Sequence, residues 1–512
     1  MRVKAGLFAL AVCLWPLSTQ AATTQPDDGK QLYRQGTREA GELTAYVGRG
    51  SIAMTADTLP CVNCHGRDGR GRPEGGVKPS DITWAELSKA YGGTSKSGRH
   101  YGTYNEDTFL RAVTEGIDAA GQRLDTSMPR YNISRHDARN LIQYLQTIAD
   151  EYDPGISDDA VVFTSLQMQE GWQAELGAVI TSTIEAYFAD INRQGGVYGR
   201  KLQLQTLRYA DSKAFGRLSA EVGASDKTFA LLGTLSGNVD EILVEQAERS
   251  QLPSIAPFTN QPAGRGEQHR YSFYIYGGLA SQVHVLIKRM LKAEGAPSRV
   301  LVVYRDAGPY QAQAREAVAA LRQQGNDAVE FAYHDDKSPS LQGLPKLQAA
   351  RVLFIGAGSE LVELYPRLLQ TLRVDGLYLP GMLVSSQIMQ LPAEALDRLE
   401  VAYHSTPDEE GKLEDFYRFL HEHGFGRRSM SIRLFAYSAA RIAVEGLKRA
   451  GKRLSREKVI AAMEQLFDFD AGLNRPIRYG SSRRVALQGA YIVKLDRQQN
   501  RLKSTGYWVE LE

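Results

Sequence analysis

Ala186-Tyr187-Phe188-Ala189-Asp190-Ile191-Asn192-Arg193-Gln194-Gly195-Gly196-Val197-Tyr198-Gly199-Arg200-Lys201 carries the chain from a helix into a strand through one glycine-rich corner. Its first residues continue a helical pattern running from Trp172 to Asn192, and Gly195-Gly196 supplies the left-handed turn that ends it. Lys201 to Leu207 then reads as a strand. The same grammar extends outward in both directions. Ala160 to Phe163, Phe229 to Gly233, Ser254 to Pro257, Arg299 to Tyr304 and Arg351 to Ile355 are short apolar runs of the buried-strand type. Helical patterns lie between them at Asn238 to Arg249, Tyr310 to Gln324 and Ser359 to Thr371. This alternation predicts parallel sheets covered by helices on both faces. The region 160–512 is too long for one such sheet, so two lobes are expected, roughly 160–276 and 277–403, with C-terminal segments shared.

The corner, together with Arg299-Val300-Leu301-Val302-Val303-Tyr304-Arg305-Asp306, resembles the type I periplasmic binding proteins of the branched-chain amino-acid family. These are the substrate-binding components of ABC transporters, and the resemblance spans most of residues 160–512. It implies a small molecule, amino-acid-like or a carboxylate, held in a cleft between lobes that close by a hinge. It points to Ser236 and Gly237, which precede a helix N-terminus suited to an anionic group, and to Thr259 at the end of Pro257-Phe258-Thr259. On the other lobe it points to Tyr310 and to Gly356-Ala357-Gly358. Turn or packing duty competes with ligand contact at each position. Two departures leave the solute open: Tyr310 is followed by Gln311 where the family usually has glycine, and no acidic partner for a ligand ammonium group is evident.

A different chemistry is written near the N-terminus. Cys61-Val62-Asn63-Cys64-His65 is the C-x-x-C-H pattern of c-type haem attachment. Two thiols three positions apart reach the two vinyl groups of one porphyrin, and the adjacent imidazole becomes the proximal iron ligand. A zinc site would need two more ligands, and no second cysteine pair exists. A thioredoxin-like motif would need a helix after it, whereas Gly66 to Gly76 is a loop rich in glycine and arginine.

Met128, in Ser127-Met128-Pro129-Arg130-Tyr131, precedes a helical segment from Ser134 to Ile148. This resembles small monohaem cytochromes c in which a Met-Pro loop supplies the distal thioether, and the resemblance covers roughly Asp27 to Asp150. It implies an all-α domain over 22–150, one covalently bound haem c, and an N-terminal helix around Gly29-Lys30-Gln31-Leu32-Tyr33 packed on Leu141, Tyr144 and Leu145. Met54, His100 and His136 compete with Met128 as distal ligand. Arg67, Arg70, Arg72 and Arg130 are candidates for pairing with haem propionates. About 25 residues separate Gly36 from Cys61, longer than the shortest cytochromes allow, so an extra loop is expected there.

The chain opens as an exported protein. Arg2 and Lys4 precede an apolar stretch from Ala5 to Leu17, with a cleavage site after Ala21, so 1–21 reads as a signal peptide that also removes Cys13. A lipoprotein reading of Cys13 meets the bulky Val12 where a small residue is wanted. The mature protein is expected to be periplasmic and without a membrane span. A formal charge of +2 over 512 residues makes no global case for nucleic acid or anionic membrane. The acidic stretch Asp150 to Asp159, with Pro154-Gly155 at its centre, reads as a linker, its core 151–159.

Together these readings describe a periplasmic cytochrome c fused to a two-lobed solute-binding domain. The haem would exchange electrons with a partner oxidoreductase, and the larger domain would sense a small molecule. Two alternatives stand beside it: an ABC importer receptor with the haem as accessory, and an enzyme with five-coordinate haem. No phosphate-cradling loop or nucleophile elbow is present, and no catalytic residues are assigned.

Overall fold

The computed structural model of the chain describes residues 28–38, 41–48, 52–71, 76–263, 269–292, 299–334, 343–344, 346–405, 413–426, 428–496, 498 and 501–511. The export segment 1–21 and Arg72 lie outside the described residues. The chain divides into two compact units, one ending at Glu151 and the other beginning at Tyr152. Among the described residues no helix is long and apolar enough to cross a membrane.

The first unit runs α1 (Asp28–Gln35), β1 (Thr44–Val47), β2 (Ile52–Thr55), α2 (Cys61–His65), α3 (Trp84–Leu87), β3 (Gly93–Thr94) and β4 (His100–Tyr101). It continues through α4 (Glu106–Thr114), β5 (Arg130–Tyr131) and α5 (Arg135–Thr147). Helix α5 starts at a reciprocal cap, in which the Ser134 hydroxyl and the Asp137 carboxylate each take the other's backbone N–H. Leu32 and Tyr33 of α1 bury in one core with Leu141, Tyr144 and Leu145 of α5. The two helices cross at backbone contact: a Cβ on Gly29 would lie 2.0 Å from the Asn140 carbonyl oxygen.

The expectation of an all-α unit is corrected here. A three-stranded antiparallel sheet of order β2-β1-β5 and a two-strand pair β3-β4 make the unit mixed α/β. The cause lies in the long segment before Cys61. Leu43 and Ala45 point inward at alternate positions while β-branched Thr44, Val47, Ile52 and Thr55 favour extended backbone. Tyr131 pairs with Ala45 and ties this insertion to the Met128 loop.

The second unit contains β6 (Ala160–Met168), α6 (Gly171–Arg193), β7 (Lys201–Tyr209), α7 (Ser212–Ala224), β8 (Ala230–Leu232), α8 (Asp240–Arg249), β9 (Ser254–Ile255) and β10 (Ser272–Tyr276). It goes on with α9 (Gly278–Lys292), β11 (Arg299–Arg305), α10 (Gly308–Gln323), β12 (Ala328–Tyr333), β13 (Ala349–Ile355), α11 (Gly358–Thr371) and β14 (Arg373–Pro380). The last elements are α12 (Ala393–Arg398), β15 (Leu399–Tyr403), α13 (Glu414–Glu422), α14 (Met430–Ala450), α15 (Arg456–Glu464), β16 (Val485–Leu487), β17 (Gly489–Asp496) and β18 (Arg501–Glu510).

These strands form two sheets, hence two lobes. The first has order β16-β10-β9-β8-β6-β7 and is parallel throughout. The second has order β12-β11-β13-β14-β15-β17-β18, parallel up to β15 and antiparallel at its last two strands. The chain passes between lobes three times: after Tyr276, after Tyr403, and at Gln488 between β16 and β17.

The glycine-rich corner shows why its residues stand together. Ile180, Ile184, Phe188 and Ile191 recur at helical spacing and bury α6 against Phe163 and Phe229. At the helix end the Asn192 side chain accepts from Leu202 N–H at 2.7 Å and donates to the Leu202 carbonyl at 2.9 Å, which staples α6 to β7. Gly196 has φ +73, and a Cβ there would sit 2.0 Å from the Arg200 carbonyl oxygen, so only glycine turns this corner.

The acidic connector is divided between the units. Glu151 accepts from Lys30 at 2.7 Å, Arg34 at 2.6 Å and Tyr144 at 3.0 Å inside the first. From Asp153 onward the chain is built into the second: Asp153 accepts from Arg456 N–H at 2.6 Å, and Gly155 N–H donates to Asp226.

Candidate functional site

In the first unit the C-x-x-C-H segment is a single turn of helix, α2, entered from Pro60 and closed by Gly66 at φ +75. Gly66 N–H bonds the Val62 carbonyl, and its own carbonyl accepts the Tyr33 hydroxyl at 2.6 Å, so α1 holds the end of the turn. Cys61 and Cys64 are not joined in a disulfide, and the first is half-buried and the second exposed. Burial pushes the Cys61 thiol up to about 12, a value at which it is a poor thiolate donor and a poor redox centre.

His65 is buried, and desolvation lowers its pKa, offset in part by its bond to Ser80. Its Nδ1 stands 3.0 Å from the Ser80 carbonyl oxygen. A carbonyl can only accept, so Nδ1 carries the proton and Nε2 keeps its lone pair for a metal. Two thiols on one turn beside an imidazole of this tautomer fit a covalently attached haem. Among the described residues no cluster of three or more His, Cys, Asp or Glu side chains offers a competing metal site.

The Met128 loop is tied to the same place. Met128 is half-buried, and three residues on the Tyr131 hydroxyl donates to the Leu59 carbonyl at 2.6 Å, two residues before Cys61. Both cysteines contribute to raising the Tyr131 pKa after burial, which places that phenol near the thiols. The competitors are used elsewhere or turned out. Met54 lies on a strand exposed along its length, His100 bonds Thr94, and His136 meets Asn140. Arg130 is spent on the carbonyls of its own loop, at Met128, Leu124 and Asp125, and Arg70 lies near Asp68 and Asp81.

In the second unit the strand ends of the two lobes supply the other candidate site, in keeping with the rule that open parallel sheets bind ligands beyond their carboxyl ends. Ser236 and Gly237 follow β8, but their groups are committed within lobe one. The Ser236 hydroxyl bonds Asp240, and the Ser236 and Gly237 N–H groups both face the Phe258 carbonyl, at 3.1 and 3.5 Å. Asp240 also accepts from Tyr274 at 2.6 Å and from Ala263 N–H at 2.8 Å, and burial raises its pKa. Thr259 closes the same loop by donating to the Gly237 carbonyl at 3.1 Å. Tyr310 is half-buried in the first turn of α10, against the lobe-two core. The Gly356-Ala357-Gly358 turn is held by Glu360, which accepts from Ala357 N–H and the Tyr333 hydroxyl, each at 2.7 Å, and pairs with Arg305.

One residue of this region escaped the sequence reading. Trp172, at the start of α6 and just beyond the end of β6, leaves 69% of its surface exposed. Its neighbour Gln173 stands beside Gly237, so the indole belongs to the rim of lobe one next to the β8 loop. An isolated exposed tryptophan in a helical pattern looks like any other apolar position, and only the fold shows that it points outward.

Two lobes of largely parallel sheet joined by three crossings define a two-lobed α/β fold. A family model described as "Periplasmic binding protein" matches residues 164–500, and the chain belongs to that family. No curated protein matches the chain significantly. Among solved structures, a fatty acid ABC transporter substrate-binding protein from Thermomonospora curvata is similar at 17% identity and a TM-score of 0.54, covering 71% of this chain and 95% of its own. A possible leucine/isoleucine/valine-binding protein from Rhodopirellula baltica SH 1 shares 16% identity at a TM-score of 0.55, covering 68% and 96%. A branched chain amino acid ABC transporter structure from Thermus thermophilus, with bound valine, shares 16% at 0.53, covering 69% and 97%. At these identities the likeness establishes the fold of the larger unit.

Proposed function

We propose that this chain is an exported solute receptor of the ABC-transporter type that takes a small amino-acid-like or carboxylate molecule between its two lobes. The observation that carries the reading is the family match over 164–500 on a unit whose lobes meet at three crossings. The signal-peptide pattern of residues 1–21 supports delivery to the periplasm. The names of the relatives favour branched-chain amino acids or comparable apolar acids as first candidates. Titration calorimetry of the mature chain with valine, leucine and isoleucine, followed by a thermal-shift panel of small carboxylates, tests this. A chain that gains no stability from any member of the panel is not such a receptor.

A second activity rests on the first unit. Cys61 and Cys64 would hold haem c as thioethers, His65 would be its proximal ligand and Met128 its distal one. When bound, the group supplies one-electron transfer. What favours this reading is the Nδ1 bond of His65 to Ser80 on the same helical turn as the two cysteines. In the reading as a whole, solute reception is the principal role and the haem an accessory that exchanges electrons with a redox partner. Chain produced in a host able to attach haem should show a Soret band that survives acid-acetone extraction. Cys64→Ala should keep a band held by the single remaining thioether, Cys61→Ala/Cys64→Ala should lose it to extraction, and a resistant band in the double variant would exclude attachment through these thiols.

A further inference from the structure

Away from the strand ends, the segment after α15 folds back on itself, with Phe469 and Ile477 exchanging backbone hydrogen bonds at 3.0 and 2.8 Å. Between this hairpin, the end of β16 and the end of β18 lies a cavity of about 240 Å³. Its walls therefore come from both lobes, at the third crossing. Ile477 and Leu487 give it an apolar floor, and Phe467, 70% exposed, stands at its edge.

Three guanidinium groups line the same space: Arg475, Arg478 and Arg483. Among the described residues none of them forms an ion pair. Arg475 lies over the Trp508 ring, 4.8 Å from its centroid, and the Arg483 guanidinium donates to the carbonyls of Val485 and Ala486. Two carboxylates share the lining, Asp468 and Glu510, and Glu510 is turned back onto the Trp508 indole N–H. Burial lowers the Arg483 pKa, the like charge of Arg478 lowers it further, and Glu510 opposes the shift only in part, so the two cations lie close enough to feel each other. Like charges held together over an apolar floor call for a counter-anion.

The geometry points to a second binding site here, distinct from the cleft at the strand ends, for a small organic acid with two negatively charged groups. Arg478 and Arg483 take the acidic groups, Arg475 adds to the positive field, and Phe467, Ile477 and Leu487 cover the apolar body. Neither charge alone nor apolar surface alone suffices: inorganic phosphate lacks the body, and benzoate lacks the second charge.

The test is calorimetry of the mature full chain with phthalate, benzoate and inorganic phosphate at one ionic strength. Phthalate is expected to bind saturably, at least tenfold more tightly than either of the others. Arg478→Glu should weaken it tenfold or more, and Phe467→Ala about fivefold. Both side chains are solvent-facing, and an unchanged thermal midpoint shows that the variants fold. Absence of saturable phthalate binding overturns the proposal. So does equal affinity for phosphate, which would mark a mere patch of charge. Binding that survives Arg478→Glu but is lost in Trp172→Ala also overturns it, because it would place phthalate in the cleft.

Discussion

The imidazole of His404 lies flat on the phenol ring of Tyr276, with centroids 4.7 Å apart and planes 7° from parallel. Tyr276 ends the strand at the first crossing between lobes, and His404 stands at the second. The Nδ1 atom of His404 also faces the Gly489 carbonyl, at the third, across 3.4 Å. One buried side chain therefore touches all three crossings, and movement at the hinge must pass around it.

Burial holds His404 down to about 4, with only the Gly489 carbonyl opposing the shift. In the unfolded chain a histidine titrates near 6.5. Between these values the unfolded state binds the extra proton, so stability rises with pH through that window and is lost as pH falls from about 6.5 toward 4. The full span corresponds to about 3 kcal/mol. His404→Gln removes this component. Urea titrations at about pH 7 and about pH 4.5 should show a stability loss about 2 kcal/mol smaller in the variant than in the parent chain. Equal losses would mean that His404 does not titrate in the folded hinge.

Six strands of the second unit, β6, β7, β8, β9, β11 and β13, were legible as short runs closed by turn signals, whereas β10, β12 and β14 to β18 were not read from the sequence. β6, β7, β11 and β13 all begin within two residues of where the pattern places them. The hinge was not legible. Tyr276, His404 and Gly489 are far apart in sequence, and no local periodicity marks residues whose role is to meet one another. The small sheet of the first unit escaped for the opposite reason: Thr44–Val47 is too short to establish alternation, and its pairing with Tyr131 spans the whole domain. At the candidate sites, C-x-x-C-H could be read from chemistry alone. Ser236 could not, because whether a hydroxyl serves a ligand or Asp240 depends on a carboxylate buried behind it.

Gly29 carries the crossing of α1 and α5. Adding one methyl puts a Cβ 2.0 Å from the Asn140 oxygen and 3.0 Å from the Tyr144 Cβ, and both neighbours are fixed in α5. Gly29→Ala should destabilise the first unit by about 2–3 kcal/mol through overpacking, against the small gain that alanine brings to a free helix. Thermal unfolding of the isolated variant chain, followed by tyrosine near-ultraviolet dichroism, measures this. An unchanged first transition would show that α1 moves away at no cost.

Arg456 is an arginine with 2% of its surface exposed. Its guanidinium donates to the carbonyls of Phe229 at 2.9 Å and Thr228 at 2.6 Å, fastening α15 to the start of β8. Replacing it with methionine preserves bulk but strands those carbonyls without donors. Unsatisfied buried acceptors cost about 1–3 kcal/mol each, so Arg456→Met should lower stability by about 3 kcal/mol or more in denaturant titration. Arg456→Lys, which can reach one carbonyl but not both, should fall between. A methionine variant as stable as the parent would show that water replaces the guanidinium.

Trp172 separates binding from stability. With 69% of its surface in solvent, it contributes little to the core, and Trp172→Ala should alter the unfolding midpoint by no more than a surface substitution does, within about 0.5 kcal/mol. An exposed indole beside the β8 loop is useful only when something covers it, and in the proposed receptor closure of the lobes on a solute would do so. Covering an aromatic face is worth more than 1.4 kcal/mol, so solute affinity should drop at least tenfold in the same variant. Trp172→Phe, which keeps an aromatic face, should recover most of the loss. Calorimetry with the best ligand of the panel decides it: an alanine variant that binds as tightly as the parent would place the solute elsewhere than against this rim.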